Sequence, residues 1–244
     1  MINAQSPCSN QDNSGPCPYD DLYIYHLSGR LTSQDIIQRD QFSALEEVYD
    51  TFLRIVQNTL LSSMHRDISI EFVSTEMVKY QEFISAFSSP TSFNLFGVSS
   101  LVGNGLLAIE SNLVFSFIDC MFGGEGRPSS QVRDFTQIEQ RMIKKFAIEL
   151  LVRFEESWST VYPIKIELKK TETKPEFVQL VPPGDVMLIV VFVLRVQEFS
   201  GNFHIALPYR MLEPIKEKLS PMYLRDKDLH PTWRPQLKEL LKDI

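Results

Sequence analysis

The chain has 244 residues, enough for one large domain or two small ones with a substantial core. Its net charge of −7 argues against a general nucleic-acid binder, which needs a basic stripe. Apolar residues make up 43% and charged residues 23%, as in ordinary globular proteins. No apolar run approaches the roughly 20 residues that span a bilayer. The stretch from Met1 to Asp20 lacks the basic start and apolar run of a signal peptide.

The three cysteines, Cys8, Cys17 and Cys120, include no close pair. An odd count without a close pair argues against a disulfide scaffold and against a zinc site. A reducing, cytosolic location is the simplest interpretation.

Residues 1–30 are polar and contain several prolines, which predicts a flexible N-terminal arm. The rest of the chain contains two copies of one plan, at about 42–126 and 135–219. Each copy begins with a capping-box pattern, Phe42-Ser43-Ala44-Leu45-Glu46 and Phe135-Thr136-Gln137-Ile138-Glu139. Apolar residues then recur on one face of each predicted helix: Leu45, Tyr49, Phe52, Val56 and Leu60 in the first, and Ile138, Met142, Phe146, Leu150, Phe154 and Trp158 in the second.

Corresponding strands, hairpins and closing helices follow in each copy. The predicted elements of the first copy are a strand at Ile68–Phe72, a hairpin of Phe93–Val98 and Leu106–Ile109 that turns at Gly103–Gly105, and a helix at Asn112–Phe122. Those of the second are Ile164–Leu168, a hairpin of Val186–Val196 and Phe203–Leu207 that turns at Ser200–Asn202, and a helix from Pro208 to Leu219. The predicted fold is therefore α/β (α+β): two copies of helix, strand, hairpin and helix, related by a pseudo-two-fold axis. We expect one antiparallel-rich sheet packed with long helices.

The sequence contains no recognisable catalytic, cofactor-binding or metal-binding motif. The four histidines, His26, His65, His204 and His230, have no second ligand two to four residues away. His204 alternates with apolar residues in a predicted strand, which favours a solvent-facing or hydrogen-bonded structural side chain.

One segment stands out: Phe122-Gly123-Gly124-Glu125-Gly126-Arg127-Pro128 follows directly on a predicted helix. Gly123 suits the left-handed residue that ends a helix, which explains one glycine well and a second tolerably. A helix-ending turn does not require the third glycine or the Arg-Pro pair that follows it. A phosphate loop is disfavoured because such loops precede a helix N-terminus, whereas this one follows a C-terminus. The residues alone support a partner-binding loop and a simple turn equally.

The sequence from Leu31 to Leu219 resembles the middle domain of the flagellar motor switch FliM family. Several short segments carry the resemblance in the family's order: Leu31-Thr32-Ser33-Gln34-Asp35-Ile36-Ile37, Leu113-Val114-Phe115 through Phe122-Gly123-Gly124-Glu125-Gly126, Phe135-Thr136-Gln137-Ile138-Glu139, Pro182-Pro183-Gly184-Asp185-Val186, Leu207-Pro208-Tyr209 and Leu212-Glu213-Pro214-Ile215. The resemblance implies a domain at 31–221, a linker helix at 222–244, and a fold shared with the CheC and CheX phosphatases of response regulators.

The resemblance also implies a place in the C ring of the flagellar rotor, at the cytoplasmic face of the inner membrane. Middle domains of this family stand side by side in that ring and bind FliG through a GGxG loop. Carried over to this sequence, the FliG contact comprises Gly123, Gly124, Glu125 and Gly126, with Arg127 and Pro128 as adjacent candidates. We expect the chain to support torque transmission and the reversal of rotation, without acting as an enzyme.

Two departures from the family bear on the other expected partners. The family's N-terminal helix that captures phosphorylated CheY has no counterpart in residues 1–41, so the sequence does not support CheY-phosphate binding. FliN binding is expected through the family's FliN-like C-terminal domain, which does not appear before Ile244; Trp233–Ile244 resembles the helix that leads into it. A truncated chain and a short paralogue both fit these departures.

Two alternative functions are a CheC-like phosphatase and a component of a type III export sorting platform. The phosphatases place a Glu and an Asn three residues apart on the long helix. The corresponding pairs here lack the amide: Glu46 with Tyr49, Glu47 with Asp50, and Glu139 with Met142. We therefore expect no phosphatase activity, and the GGxG loop favours the flagellar function over the export platform.

Overall fold

The computed structural model describes residues 44–64, 68–127, 133–197 and 199–220. The predicted first cap at Ser43, the arm at 1–30, Pro128 and the linker at 222–244 lie outside these residues. The helices are α1 (Ala44–Met64), α2 (Tyr80–Ser85), α3 (Ser111–Met121), α4 (Gln137–Trp158) and α5 (Tyr209–Leu212), with 3-10 turns at Pro175–Phe177 and Glu213–Leu219. The strands are β1 (Ile68–Lys79), β2 (Thr91–Val98), β3 (Asn104–Glu110), β4 (Ile166–Glu172), β5 (Val186–Val196) and β6 (Phe199–Pro208).

The six strands form one antiparallel sheet in the order β1-β5-β6-β3-β2-β4. The counterparts in the two copies are β1 and β4, β2 and β5, and β3 and β6. If each strand is exchanged with its counterpart, the order of the sheet is reversed. The predicted pseudo-two-fold repeat is therefore confirmed, with the axis between β3 and β6.

The two copies also exchange strands. The strand after each long helix pairs with the hairpin of the other copy: β1 pairs with β5, and β4 pairs with β2. Each copy thus supplies an outer strand that the other needs to cover its hairpin. The complete sheet therefore forms only when both copies are present.

The main core lies on the face that α1, α3 and α4 cover. Aromatic rings join the layers there: Phe52 of α1 meets Phe154 of α4 edge-on at a centroid distance of 5.5 Å, and Phe192 and Phe203 of β5 and β6 stack beneath them. The opposite face carries a smaller apolar cluster under α2 and Val178. No helix among the described residues is both long and apolar enough to cross a membrane.

The predicted apolar face of α1 is confirmed, because Leu45, Tyr49, Phe52, Val56 and Leu60 are all buried. The predicted face of α4 is wrong at its first position.

Ile138 is 65% exposed, although Phe146, Leu150, Phe154 and Trp158 are buried as expected. The prediction used a strict spacing of four residues, which drifts by about 40° per step against a period of 3.6 residues. Over five steps this drift turns Ile138 to nearly the opposite side of the helix from Trp158.

The second predicted hairpin turn lies too far along the sequence. β5 ends at Val196 and β6 begins at Phe199, so the chain reverses between these two residues and Gly201 is a strand residue. A Cβ at Gly201 would lie 2.6 Å from the Cβ of Leu113 in α3. This glycine therefore marks the close approach of a helix to a strand, the other common reason for glycine in a sheet.

The capping box at the start of α4 is confirmed. The Glu139 amide donates to Thr136 Oγ1 over 3.3 Å, and the Thr136 amide donates to Glu139 Oε2 over 2.7 Å. The Arg133 guanidinium adds two hydrogen bonds to the same carboxylate, of 2.6 and 2.8 Å. These bonds tie the segment that follows the glycine loop to the first turn of α4.

Replacing Thr136 by Ala removes the cap acceptor, and we expect it to lower the free energy of unfolding by about 1 kcal/mol. Chemical denaturation of the two proteins measures the difference. Gln137→Ala is the matched control, because Gln137 is the exposed neighbour outside the box. An equal loss in both variants would contradict a specific role for the cap.

Glu139 makes the stability depend on pH. Hydrogen bonds from Arg133, and further ones from Thr136, lower the pKa of Glu139 to about 2. This pKa lies below the value of Glu139 in the unfolded chain. The ionised carboxylate therefore contributes its full stabilisation of the fold above about pH 4.5, and this stabilisation is lost as the pH falls towards about 2. Wild type should therefore lose more stability than Glu139→Gln over this interval in denaturant titrations. Parallel curves for the two proteins would contradict the assignment.

Candidate partner-binding loop

The glycine loop begins where α3 ends in a Schellman motif. The Gly123 amide donates to the Cys120 carbonyl over 3.0 Å, and the Gly124 amide donates to the Asp119 carbonyl over 2.8 Å. Gly123 adopts a φ of 90°, in the left-handed region that such a motif requires. The predicted helix-ending role of Gly123 is confirmed.

The side chain of Asp119 then holds the rest of the loop. Its Oδ2 accepts hydrogen bonds from the amides of Gly126, at 2.8 Å, and Arg127, at 3.2 Å. A carboxylate in the last turn of a helix faces the negative end of the helix dipole, which disfavours it. Two backbone donors offset that cost.

Sequence reasoning missed Asp119. The available signal was an acidic residue in the last helical turn, where basic residues are favoured, immediately before a glycine cluster.

Two further glycines are required by the conformation of the loop itself. A Cβ at Gly124 would overlap the Asp119 carboxylate. Gly126 is buried, has a φ of 84°, and would place a Cβ 2.9 Å from Cys120 Sγ. The interpretation that the turn does not need its third glycine is therefore wrong. Gly123 differs from both, because a Cβ there would meet nothing within 4 Å.

The surface of the loop is less bare than its glycines suggest. Phe122 is 73% exposed and Met121 is 51% exposed, while Glu125 and Arg127 form an exposed ion pair of 2.6 Å. The binding role was predicted for Glu125 and Arg127, whereas the two apolar residues were not singled out. The loop thus offers an apolar part beside a self-neutralised ion pair.

The loop lies beside the turn between β5 and β6. A Cβ at Gly126 would lie 3.4 Å from the Val196 carbonyl and 3.7 Å from the Phe199 ring. This contact anchors the loop to the sheet. The residues that the resemblance assigns to partner binding, apart from Pro128, therefore lie on one held loop, with Gly126 buried and Gly123, Glu125 and Arg127 exposed.

His204 is a buried structural side chain. Its Nε2 lies 3.0 Å from Glu110 Oε1, and the rings of Phe83 and Phe87 meet it edge-on. His26, His65 and His230 lie outside the described residues. Within the described part of the chain, no three His, Cys, Asp or Glu side chains gather as they would around a metal ion.

Comparison with known proteins places this architecture in a family. The sequence model of the family described as "Flagellar motor switch protein FliM" matches residues 38–224. The chain belongs to the FliM family.

Two curated relatives show the extent of the match. The chain is 30% identical over 216 residues to the FliM of Pseudomonas aeruginosa, covering 88% of this chain and 67% of that protein. It is 29% identical over 216 residues to the FliM of Treponema pallidum, covering 86% of this chain and 63% of that protein. The chain thus spans about two thirds of the length of these relatives.

Solved FliM structures share the fold. The FliM middle domain of Vibrio alginolyticus superimposes with a TM-score of 0.66 at 28% identity, covering 72% of this chain and 99% of that chain. FliM in the FliG–FliM complex of Helicobacter pylori gives a TM-score of 0.69 at 25% identity, covering 76% and 99%. The mixed α/β fold predicted from the sequence is therefore that of FliM middle domains.

The loop geometry predicts different costs for alanine at three glycines. Gly123→Ala adds only left-handed backbone strain, about 1 kcal/mol, whereas Gly126→Ala adds overlap with Cys120 and should cost about 2 kcal/mol or more. Gly184→Ala is the control, because a Cβ there meets nothing within 4 Å and its φ is not left-handed. Thermal unfolding measures the order, and equal losses at Gly123 and Gly126 would contradict the packing of the loop on α3.

Proposed function

We propose that this chain is a component of the flagellar motor switch and docks FliG through the loop at 122–127, with Pro128 as its neighbour. The observation that carries the proposal is the loop itself. Its backbone is held by Asp119, it presents Gly123 to open space, and it belongs to a chain of the FliM family. A relative of similar fold was solved in a FliG–FliM complex.

A fixed loop suits a force-bearing contact. Because the Asp119 hydrogen bonds and the packing of Gly126 on Cys120 hold its shape, little conformational freedom is lost on docking. A tilt of the domain in the ring then moves the bound FliG as a rigid extension of α3. Such a movement relative to the stator would reverse rotation and so connect chemotactic signals to motility.

The remaining expected partners follow from the same assignment. Neighbouring FliM subunits would stand side by side with this domain in the C ring, at the cytoplasmic face of the inner membrane. FliN binding belongs to the family's C-terminal domain, and the sequence motif for phosphorylated CheY is not found in residues 1–41.

Two observations speak against the CheC-like phosphatase. Tyr49, which stands where the water-orienting amide would follow Glu46, is buried in the main core. In the second copy, Glu139 is engaged by Arg133 and by the capping box, so its carboxylate is occupied in holding α4.

The direct test is calorimetric titration of the purified chain with its cognate FliG middle domain, using wild type and Gly123→Asp. The new side chain meets open space and adds about 1 kcal/mol of left-handed backbone strain, which a folded domain tolerates, while it places a carboxylate in the interface; we expect binding to weaken at least about tenfold. Gly124→Asp is unsuitable because its side chain would displace Asp119.

Gly184→Asp is the matched control, since it adds the same charge at another open glycine. Circular dichroism verifies that both variants are folded. Wild-type binding that Gly123→Asp alone weakens supports the proposal. A folded wild type that does not bind FliG would reject it and favour the export-platform alternative.

A further inference from the structure

Phe122 is an unusual residue for a helix end that is otherwise tightly organised. The Schellman motif around it is complete, with the amides of Gly123 and Gly124 bonded to the carbonyls of Cys120 and Asp119. Nevertheless 73% of its surface is exposed, and the preceding Met121 is 51% exposed. The apolar contact that often accompanies a Schellman motif joins C″ to C3 or C4, here Gly124 to Asp119 or Ile118, so it does not cover Phe122 or Met121. Here the side chains are left to solvent.

Flexibility of the loop does not account for this exposure. Gly123, Gly124 and Gly126 are held by the end of α3, and Asp119 fixes the far side of the loop. Phe122 therefore projects from a fixed backbone position at the end of α3. A large apolar side chain on a preorganised backbone is typical of an interface anchor, because docking it costs little conformational entropy.

The charged residues of the loop have a different character. Glu125 and Arg127 pair with each other at 2.6 Å, and both side chains are about 70% exposed. An exposed ion pair contributes little to binding, and a pair that is already neutralised does not call for a charged partner surface. The apolar part of the loop is thus better suited to supply affinity than the ion pair.

We propose that Phe122, with Met121 beside it, is the apolar anchor of this loop, and that the partner receives the ring in an apolar pocket. Glu125 and Arg127 form the rim of the contact. This inference rests on the proposed FliG docking and names the chemistry of the surface that the partner must offer. It differs from the sequence-based expectation, in which bare backbone and the two charged residues made the contact.

The test compares Phe122→Ala, Phe122→Leu and Met121→Ala with wild type, by calorimetric titration with the FliG middle domain. Val102→Ala is the matched control: Val102 is 89% exposed and lies in the β2–β3 turn, at the opposite end of β6 from the glycine loop. A fifth variant, Glu125→Gln with Arg127→Gln, removes both rim charges. Because all five positions are exposed, circular dichroism should show unchanged folds.

We expect Phe122→Ala to weaken binding at least about tenfold, as at an interface anchor, and Phe122→Leu to weaken it less. Met121→Ala and the double Gln variant should each weaken binding less than Phe122→Ala, and Val102→Ala should bind within about threefold of wild type.

Phe122→Ala binding as tightly as wild type, while Gly123→Asp binds weakly, would overturn the anchor and leave the docking site standing. A larger loss in the double Gln variant than in Phe122→Ala would make the ion pair the anchor and also overturn the proposal. No binding by folded wild type would reject the docking function and the anchor together.

Discussion

The antiparallel pairing of β3 with β6 is the constraint on which the other elements depend. It joins the two copies at the pseudo-two-fold axis, with Leu106 opposite Ala206 and Ile109 opposite Phe203. Once these strands pair, the two hairpins lie side by side and each outer strand completes the opposite copy. The shared sheet then provides one face large enough for α1, α3 and α4, and the main core forms beneath them. Neither copy has this face alone.

The position of the loop follows from that arrangement. α3 can lie close to β6 because Gly201 leaves room for the backbone of Leu113. Its far end therefore reaches the β5–β6 turn, where Gly126 contacts Val196 and Phe199. Packing in the centre of the sheet thus decides where the glycine loop lies.

The two copies differ where function is expected. In the first, α3 is a full helix of 11 residues that ends in the glycine loop. In the second, the corresponding segment is a helix of four residues followed by a 3-10 turn that contains Pro214. Proline lacks the amide that a continuing α-helix needs, which accounts for the early end of α5. The two copies therefore contain one long helix followed by a glycine loop rather than two.

The sequence determined the features that depend on near neighbours. The apolar period of α1, the continuous apolar run and bounds of β5, the capping box of α4 and the helix-ending role of Gly123 all follow from residues a few positions apart, because hydrogen bonds and side-chain patterns act locally. The family pattern likewise pointed to the glycine segment.

Features that depend on distant residues could be found only once the chain was folded. The exchange of β1 and β4 between the copies, the strand position of Gly201 and the need for glycine at 126 arise from contacts with segments remote in the sequence. The exposure of Phe122 was decided in the same way, since a helical period indicates a face but not whether that face is covered at the end of the helix. The role of Asp119 required the loop to fold back on its helix: an acidic residue in the last turn is a local signal, but it does not indicate which amides, here seven and eight residues ahead, the carboxylate binds.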